Sequence, residues 1–239
     1  MTDAQPGGHE PIFNMPGPVM ALIGVLIAIH VGQEVVLDAA SRYDLNLWFA
    51  FVPARFAFPE EIPGGTWPLV WTPFTHALLH ANWSHAILNI AWLAVFGTPV
   101  ARRYGAGRFL FAFALTSAAG ALAFAAVHSQ SAAFLIGASG GISGLTGLAV
   151  RFMFQPVVIA LDPETNAPVP VGRRLASIRE VFANTRSRSL TLIWLALNAL
   201  TPLLPMLGGI EADIAWQAHL GGFVAGFFLA PFLENRRQS

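Results

Sequence analysis

Cysteine is absent from the 239 residues. That removes disulfides, thiolate metal sites and a cysteine nucleophile together. Lysine is absent too, so all 13 basic side chains are arginine. Charged residues make up only 11% of the chain, against about a quarter in a soluble domain. The formal net charge is zero, which leaves no electrostatic case for binding nucleic acid. No basic stretch opens the chain. Residues 1–18 hold Asp3, Glu10 and four prolines and read as a disordered cytoplasmic tail rather than a cleavable signal peptide.

What the chain has instead is apolar length. Hydrophobic residues reach 55% and mean hydropathy is +0.58, which marks an integral membrane protein embedded in the lipid bilayer. A helix needs about 20 mostly apolar residues to cross the hydrocarbon. Six segments meet or approach that length, at 19–37, 83–100, 109–127, 139–161, 190–206 and 214–232. They predict an all-α, polytopic bundle of six transmembrane helices in one membrane domain, 19–233, with a short cytoplasmic tail at 234–239. Arg102, Arg103 and Arg108 follow the second segment; Arg173, Arg174, Arg179, Arg186 and Arg188 follow the fourth; Arg236 and Arg237 follow the sixth. With six crossings all of these fall on one side, and Arg151 falls half-way down the fourth. Only Arg42 and Arg55 lie opposite. The positive-inside rule then puts both termini in the cytoplasm. The long outer loop, 38–73, carries Trp48, Phe49, Phe51, Phe56, Phe58, Trp67 and Trp71, a composition suited to the outer leaflet's interface. The loop at 162–189 is polar and Arg-rich, hence cytoplasmic.

Polar residues inside such segments are costly and are functional candidates by default. The stretch from His76 to Asn89 holds His76, His80, His85 and Asn89. His85 and Asn89 stand i,i+4 on one helix face and can aim donors at one point. Histidines four apart can chelate zinc, but His76 and His80 lack the Glu of H-E-x-x-H and any nearby third ligand. No metal or other cofactor is expected, and both histidines are expected to hydrogen-bond loop carbonyls. The segment Gly137-Ala138-Ser139-Gly140-Gly141-Ile142-Ser143-Gly144 holds two overlapping G-x-S-G patterns at a predicted helix start. Free backbone N–H groups there suit a developing oxyanion. Of the two serines, Ser139 is favoured. His219 opens a second small-residue face, Gly222 and Gly226, which could bring its helix against that of Ser139. A serine attacks a carbonyl only with a base in hydrogen-bond reach, and His219 is the best placed of the seven histidines. No carboxylate is well placed as a third member. A Ser–His dyad is favoured over one assisted by Asp213 folding back.

The motifs His76-x-x-x-His80-x-x-x-x-His85-x-x-x-Asn89, Gly137-Ala138-Ser139-Gly140 and Ala218-His219-x-x-Gly222-x-x-x-Gly226 together resemble the rhomboid intramembrane serine proteases. The resemblance runs from Trp71 to Gly226. It implies a six-helix fold, Ser139 as nucleophile and His219 as base, with His85 and Asn89 stabilising the oxyanion. It also implies a bacterial inner-membrane enzyme opening to the extracytoplasmic side, with single-pass or polytopic membrane proteins as substrates. Inactive relatives that bind or dislocate membrane clients are the alternative, but they usually lack the Ser or the His. Two departures stand out. Thr72 follows Trp71 where the family often has Arg, and Ala101 stands where an acidic residue often precedes x-Arg. Both positions are structural in the family.

Overall fold

The computed structural model describes residues 15–201 and 215–234. Most of both expected tails, Asp213 and the expected end of the fifth segment lie outside them. The described chain is mostly helical. Three of its helices are long and apolar enough to cross a membrane: Gly17–Val36, Trp83–Val127 and Trp216–Leu233.

Helix α1 (Gly17–Val31) starts on a proline and runs into a π-helical turn, Gly32–Val36. Asp38 then caps α2 (Ala39–Phe49), its carboxylate accepting from the Ser41 amide at 2.8 Å. The remainder of the loop to residue 71 is short turns organised by one buried arginine. Arg55 donates to the carbonyls of Leu47, Pro63 and Gly65 at 2.7–2.8 Å. A buried guanidinium must find partners, and here the loop backbone supplies them. The short helix α3 (Thr72–Thr75) leads to α4 (Trp83–Val127), capped by Asn82, whose Oδ1 accepts from the His85 amide at 2.9 Å. Gly105, at φ 76°, ψ 174°, breaks α4 into residues 83–104 and 106–127. This is where two separate segments were expected, and only a residue without Cβ turns so sharply at that φ.

The fourth expected segment needs correction. Helix α5 covers Ser139–Val150 and no more. Arg151 stands at its C-cap rather than half-way along a 139–161 helix, and Val157–Leu161 is strand β1, paired antiparallel with β2 (Pro168–Arg173). Pro156 and the β-branched run after it explain the change, since proline removes a helical donor and periodicity cannot tell a short apolar strand from a helix. The expected all-α class therefore acquires one hairpin. The expected polar loop holds β2, α6 (Ile178–Ala183) and the start of α7 (Thr185–Leu200). A capping box between Ser177 and Glu180 starts α6. Helix α8 is Trp216–Leu233.

Lipid is as apolar as leucine, so helices gain little by hiding apolar surface from it. Close backbone approach and polar contacts hold them together instead. Helix α5 meets both conditions. All of its residues after Ser139 are buried. A side chain at Gly222 or Gly226 of α8 would run into the carbonyls of Gly140 or Gly144, so α8 can lie on α5 only through glycine. On the other side Thr116 of α4 donates to the Gly141 carbonyl at 3.1 Å. At the far end Arg151 donates to the carbonyls of Ala176 and Phe227 at 2.9 and 2.8 Å. Arg103 makes a two-pronged pair with Glu234 at 3.0 Å, and Tyr104 donates to the same carboxylate at 2.8 Å. The carboxylate missing at Ala101 is thus supplied from just beyond α8.

Candidate active site

Ser139 is the first residue of α5 and His219 lies in the first turn of α8. The glycine contact between these helices sets their starts side by side. Ser139 Oγ lies 2.8 Å from His219 Nε2. Both side chains are half-buried, reachable yet shielded. As the first helical residue, Ser139 has a backbone N–H with no partner inside the helix.

The other ring nitrogen has a partner that sequence reasoning missed. His219 Nδ1 donates to Oδ1 of Asn198 on α7 at 2.8 Å. The amide of Asn198 is itself oriented, because its Nδ2 donates to the Trp194 carbonyl at 2.8 Å. With Nδ1 carrying the proton, Nε2 presents a lone pair to the Ser139 hydroxyl. A single Asn in a helix of Leu, Ala, Ile and Trp was a visible signal, but polar residues are common as interhelical glue, and nothing in the spacing linked it to a residue 21 positions on.

His85 approaches from α4. A Cβ on Gly137 would lie 2.7–2.8 Å from the His85 ring and 3.7 Å from Ser139 Oγ. The space left by that missing side chain therefore lies between imidazole and hydroxyl. Gly137 also has φ +123°, which few residues but glycine adopt. Its amide donates to the His76 carbonyl at 2.9 Å, and Phe51 and Leu135 bridge the loop before α3 to the same segment at 3.0–3.1 Å. Asn89 sits one turn along from His85, buried, with Nδ2 donating to the His85 carbonyl at 2.9 Å. Ser143 is buried a turn below Ser139. Of the four residues expected to share a site, Ser139 and His219 are in direct contact, the His85 ring faces Ser139 across Gly137, and the one hydrogen bond of the Asn89 side chain is within its own helix, to the His85 carbonyl.

His76 fits its expected role, its Nδ1 donating to the Thr72 carbonyl at 2.9 Å. His80 does not. Both of its ring nitrogens, and both of His30, are buried without a protein partner among the described residues. The His80 ring packs edge-on against His30 at 6.2 Å and against His85 at 5.1 Å. Burial first, then the neighbouring His85 and His30, pushes the His80 imidazole down to about 3; burial pushes His76 to about 4. Among the described residues no group of three or more His, Asp or Glu could hold a metal ion.

Residues 68–236 match the rhomboid domain. The chain is 28% identical over 172 residues to the rhomboid protease GluP of Bacillus subtilis (strain 168), an alignment covering 72% of this chain and 27% of that relative. It thus spans little more than a quarter of the relative's length. With most of its residues inside the matched domain, the chain belongs to the rhomboid family.

Proposed function

We propose that this integral membrane protein is an intramembrane serine endopeptidase that cleaves transmembrane segments of other membrane proteins. The observation that carries the reading is the 2.8 Å hydrogen bond between Ser139 Oγ and His219 Nε2. In this mechanism His219 takes the Ser139 proton as Oγ bonds to a peptide carbonyl carbon. The oxygen of that carbonyl becomes an oxyanion beside Gly137, held by the His85 imidazole, the Asn89 amide and the Ser139 N–H. One such donor is worth about 3 kcal/mol in the transition state. His219 then gives the proton to the departing amine as the C–N bond breaks. Water, deprotonated by His219, releases the acyl group and restores Ser139.

In the membrane, α1, the two halves of α4, α5, α7 and α8 would make the six crossings. The arginine-rich end, with the hairpin and both termini, would face the cytoplasm. Helix α5 has 12 residues, a length of about 18 Å in a hydrocarbon layer about 30 Å thick. Because protein encloses it, its start can sit roughly 10 Å below the outer surface, with water arriving from outside. The exposed aromatics of the outer loop, Trp48, Phe56 and Trp67 among them, suit the outer interface. A substrate helix has its backbone bonds satisfied in lipid and must unwind before attack. Segments weakened by Gly, Ala, Ser or Pro should therefore be preferred. The test is labelling by a fluorophosphonate in detergent with the modified residue mapped. Modification of Ser139, lost in His219→Ala, is the expected result. Modification elsewhere, or labelling that survives Ser139→Ala, would overturn the assignment.

A further inference from the structure

We propose that Asn198 is a positioning residue for the base, so that the reacting unit is Ser139–His219–Asn198 rather than a pair. The inference rests on the nucleophile and base assigned above. Its basis is a directed chain of three hydrogen bonds crossing three helices. Asn198 Nδ2 donates to the Trp194 carbonyl, His219 Nδ1 donates to Asn198 Oδ1, and Ser139 Oγ donates to His219 Nε2, each at 2.8 Å. The polarity of the chain is forced at its far end. A carbonyl can only accept, so the amide must turn its NH2 to Trp194 and its oxygen to His219. An oxygen can only accept, so Nδ1 must carry the proton. Nε2 is then the basic nitrogen, and it is the one facing Ser139. Left alone, a neutral imidazole has two tautomers and a rotatable ring. Only one combination accepts the serine proton.

An amide suits this place better than a carboxylate would. A charge inside the bilayer is costly, and a carboxylate beside His219 would need the imidazolium to offset it. Asn198 selects the tautomer without any charge. Its position on α7 has a second consequence. Ser139 and His219 are set by the rigid α5–α8 glycine contact, whereas the acceptor comes from a third helix. Shifting α7 would leave the nucleophile and base in place but free the ring. Among the described residues the other titratable group acting on His219 is His85, whose own position is fixed from α4. Asn198 contributes an acceptor and no titration.

The experiment is the rate of fluorophosphonate labelling at Ser139 as a function of pH, in the full chain, for the wild type, Asn198→Leu and Asn198→Asp. Thermal unfolding of each is followed alongside. Losing a neutral hydrogen bond and the tautomer it selects should slow labelling in Asn198→Leu by about ten- to a hundredfold, with little change in unfolding temperature. Asn198→Asp keeps the accepting oxygen. It should label within about threefold of wild type above neutral pH, and its acidic limb should move up by about one pH unit, because a carboxylate favours the imidazolium. Wild-type labelling by Asn198→Leu overturns the proposal, as does an Asp variant as slow as Leu at every pH. Should Asn198→Leu not fold, the acidic limb of Asn198→Asp decides alone: displaced upward it supports the role, unmoved it overturns it. Wild-type protein that labels elsewhere than Ser139 refutes the nucleophile instead, and this proposal with it.

Discussion

The two ends of helix α5 use opposite chemistry. At its start the polar contacts among the described residues are between neutral groups: a hydroxyl, imidazoles, amides and backbone carbonyls. At its far end the contacts are charged, with Arg151 on the carbonyls of Ala176 and Phe227, and Arg103 on Glu234 and the Arg173 carbonyl. Neutral groups can be buried under lipid at the cost of finding one partner each. Charged groups belong where water and headgroups are near. On the proposed reading one end serves orientation and proton exchange, and the other holds helices in register. Changes at the first should damage chemistry more than stability, and changes at the second should do the reverse.

The largest effects are expected at the neutral end. Ser139→Ala and His219→Ala should each abolish cleavage of a model transmembrane substrate, while Ser143→Ala keeps most of the activity. Circular dichroism and thermal unfolding should show all three folded. An active Ser139→Ala paired with a dead Ser143→Ala would assign the nucleophile to the wrong serine. Gly137→Ala comes next. A Cβ there meets the His85 ring and must adopt φ +123°, a conformation costing a non-glycine residue about 1–3 kcal/mol. Activity should fall by at least tenfold, well beyond any loss of folded protein. Equal loss of fold and activity would make Gly137 a structural glycine only.

Much of this was legible in the sequence because the motifs themselves encode contacts. Gly222 and Gly226 predicted an approach to the Ser139 helix, and the helices meet there. Two kinds of feature were not legible. The apolar run from Ser139 to Leu161 conceals a change from helix to strand, because hydropathy reports burial or lipid contact and not backbone type. Partnerships across long stretches of chain left no local trace. Asn198 reaching His219 and Glu234 reaching Arg103 depend on which helices are neighbours. The acidic residue missing at Ala101 looked like a loss, yet Arg103 finds a carboxylate 131 positions further on, at Glu234. The absence of Arg at Thr72 similarly coincides with a loop organised by Arg55, although the buried Thr72 hydroxyl has no partner among the described residues.

A smaller effect, of the opposite kind, is expected at the charged end. Glu234→Gln removes the carboxylate from a two-pronged pair whose side chains are 17% and 28% exposed. Partial exposure screens it, and a loss of about 1–2 kcal/mol is reasonable for a two-pronged pair. Arg103→Gln should cost a similar amount, and the double variant less than the sum. The rate of Ser139 labelling should be unchanged in the folded fraction. Additive losses would show that the two side chains do not act as a pair, and a slowed label would show that the ends of α5 are coupled.

The two ends also separate by pH. His80 is held at about 3 against an ordinary 6.5, so the folded protein keeps it neutral while the unfolded chain takes up a proton. Its contribution is complete above 6.5 and is lost progressively as pH falls toward 3, by at most about 1.4 kcal/mol per pH unit. His76, at about 4, adds to the same slope. At the charged end Glu180 is held down to about 2 by the Arg174 hydrogen bond first and then by Ser177. Its contribution is complete above its ordinary 4.5 and is lost only below that. Unfolding temperature should therefore begin to fall just below pH 6.5, with a second decline below 4.5. His80→Phe keeps a ring of similar size against His30 and His85 but cannot be protonated. It should flatten the first decline and leave the second untouched. A first decline that survives both His80→Phe and His76→Phe unchanged would mean that acid lability does not originate in these two rings.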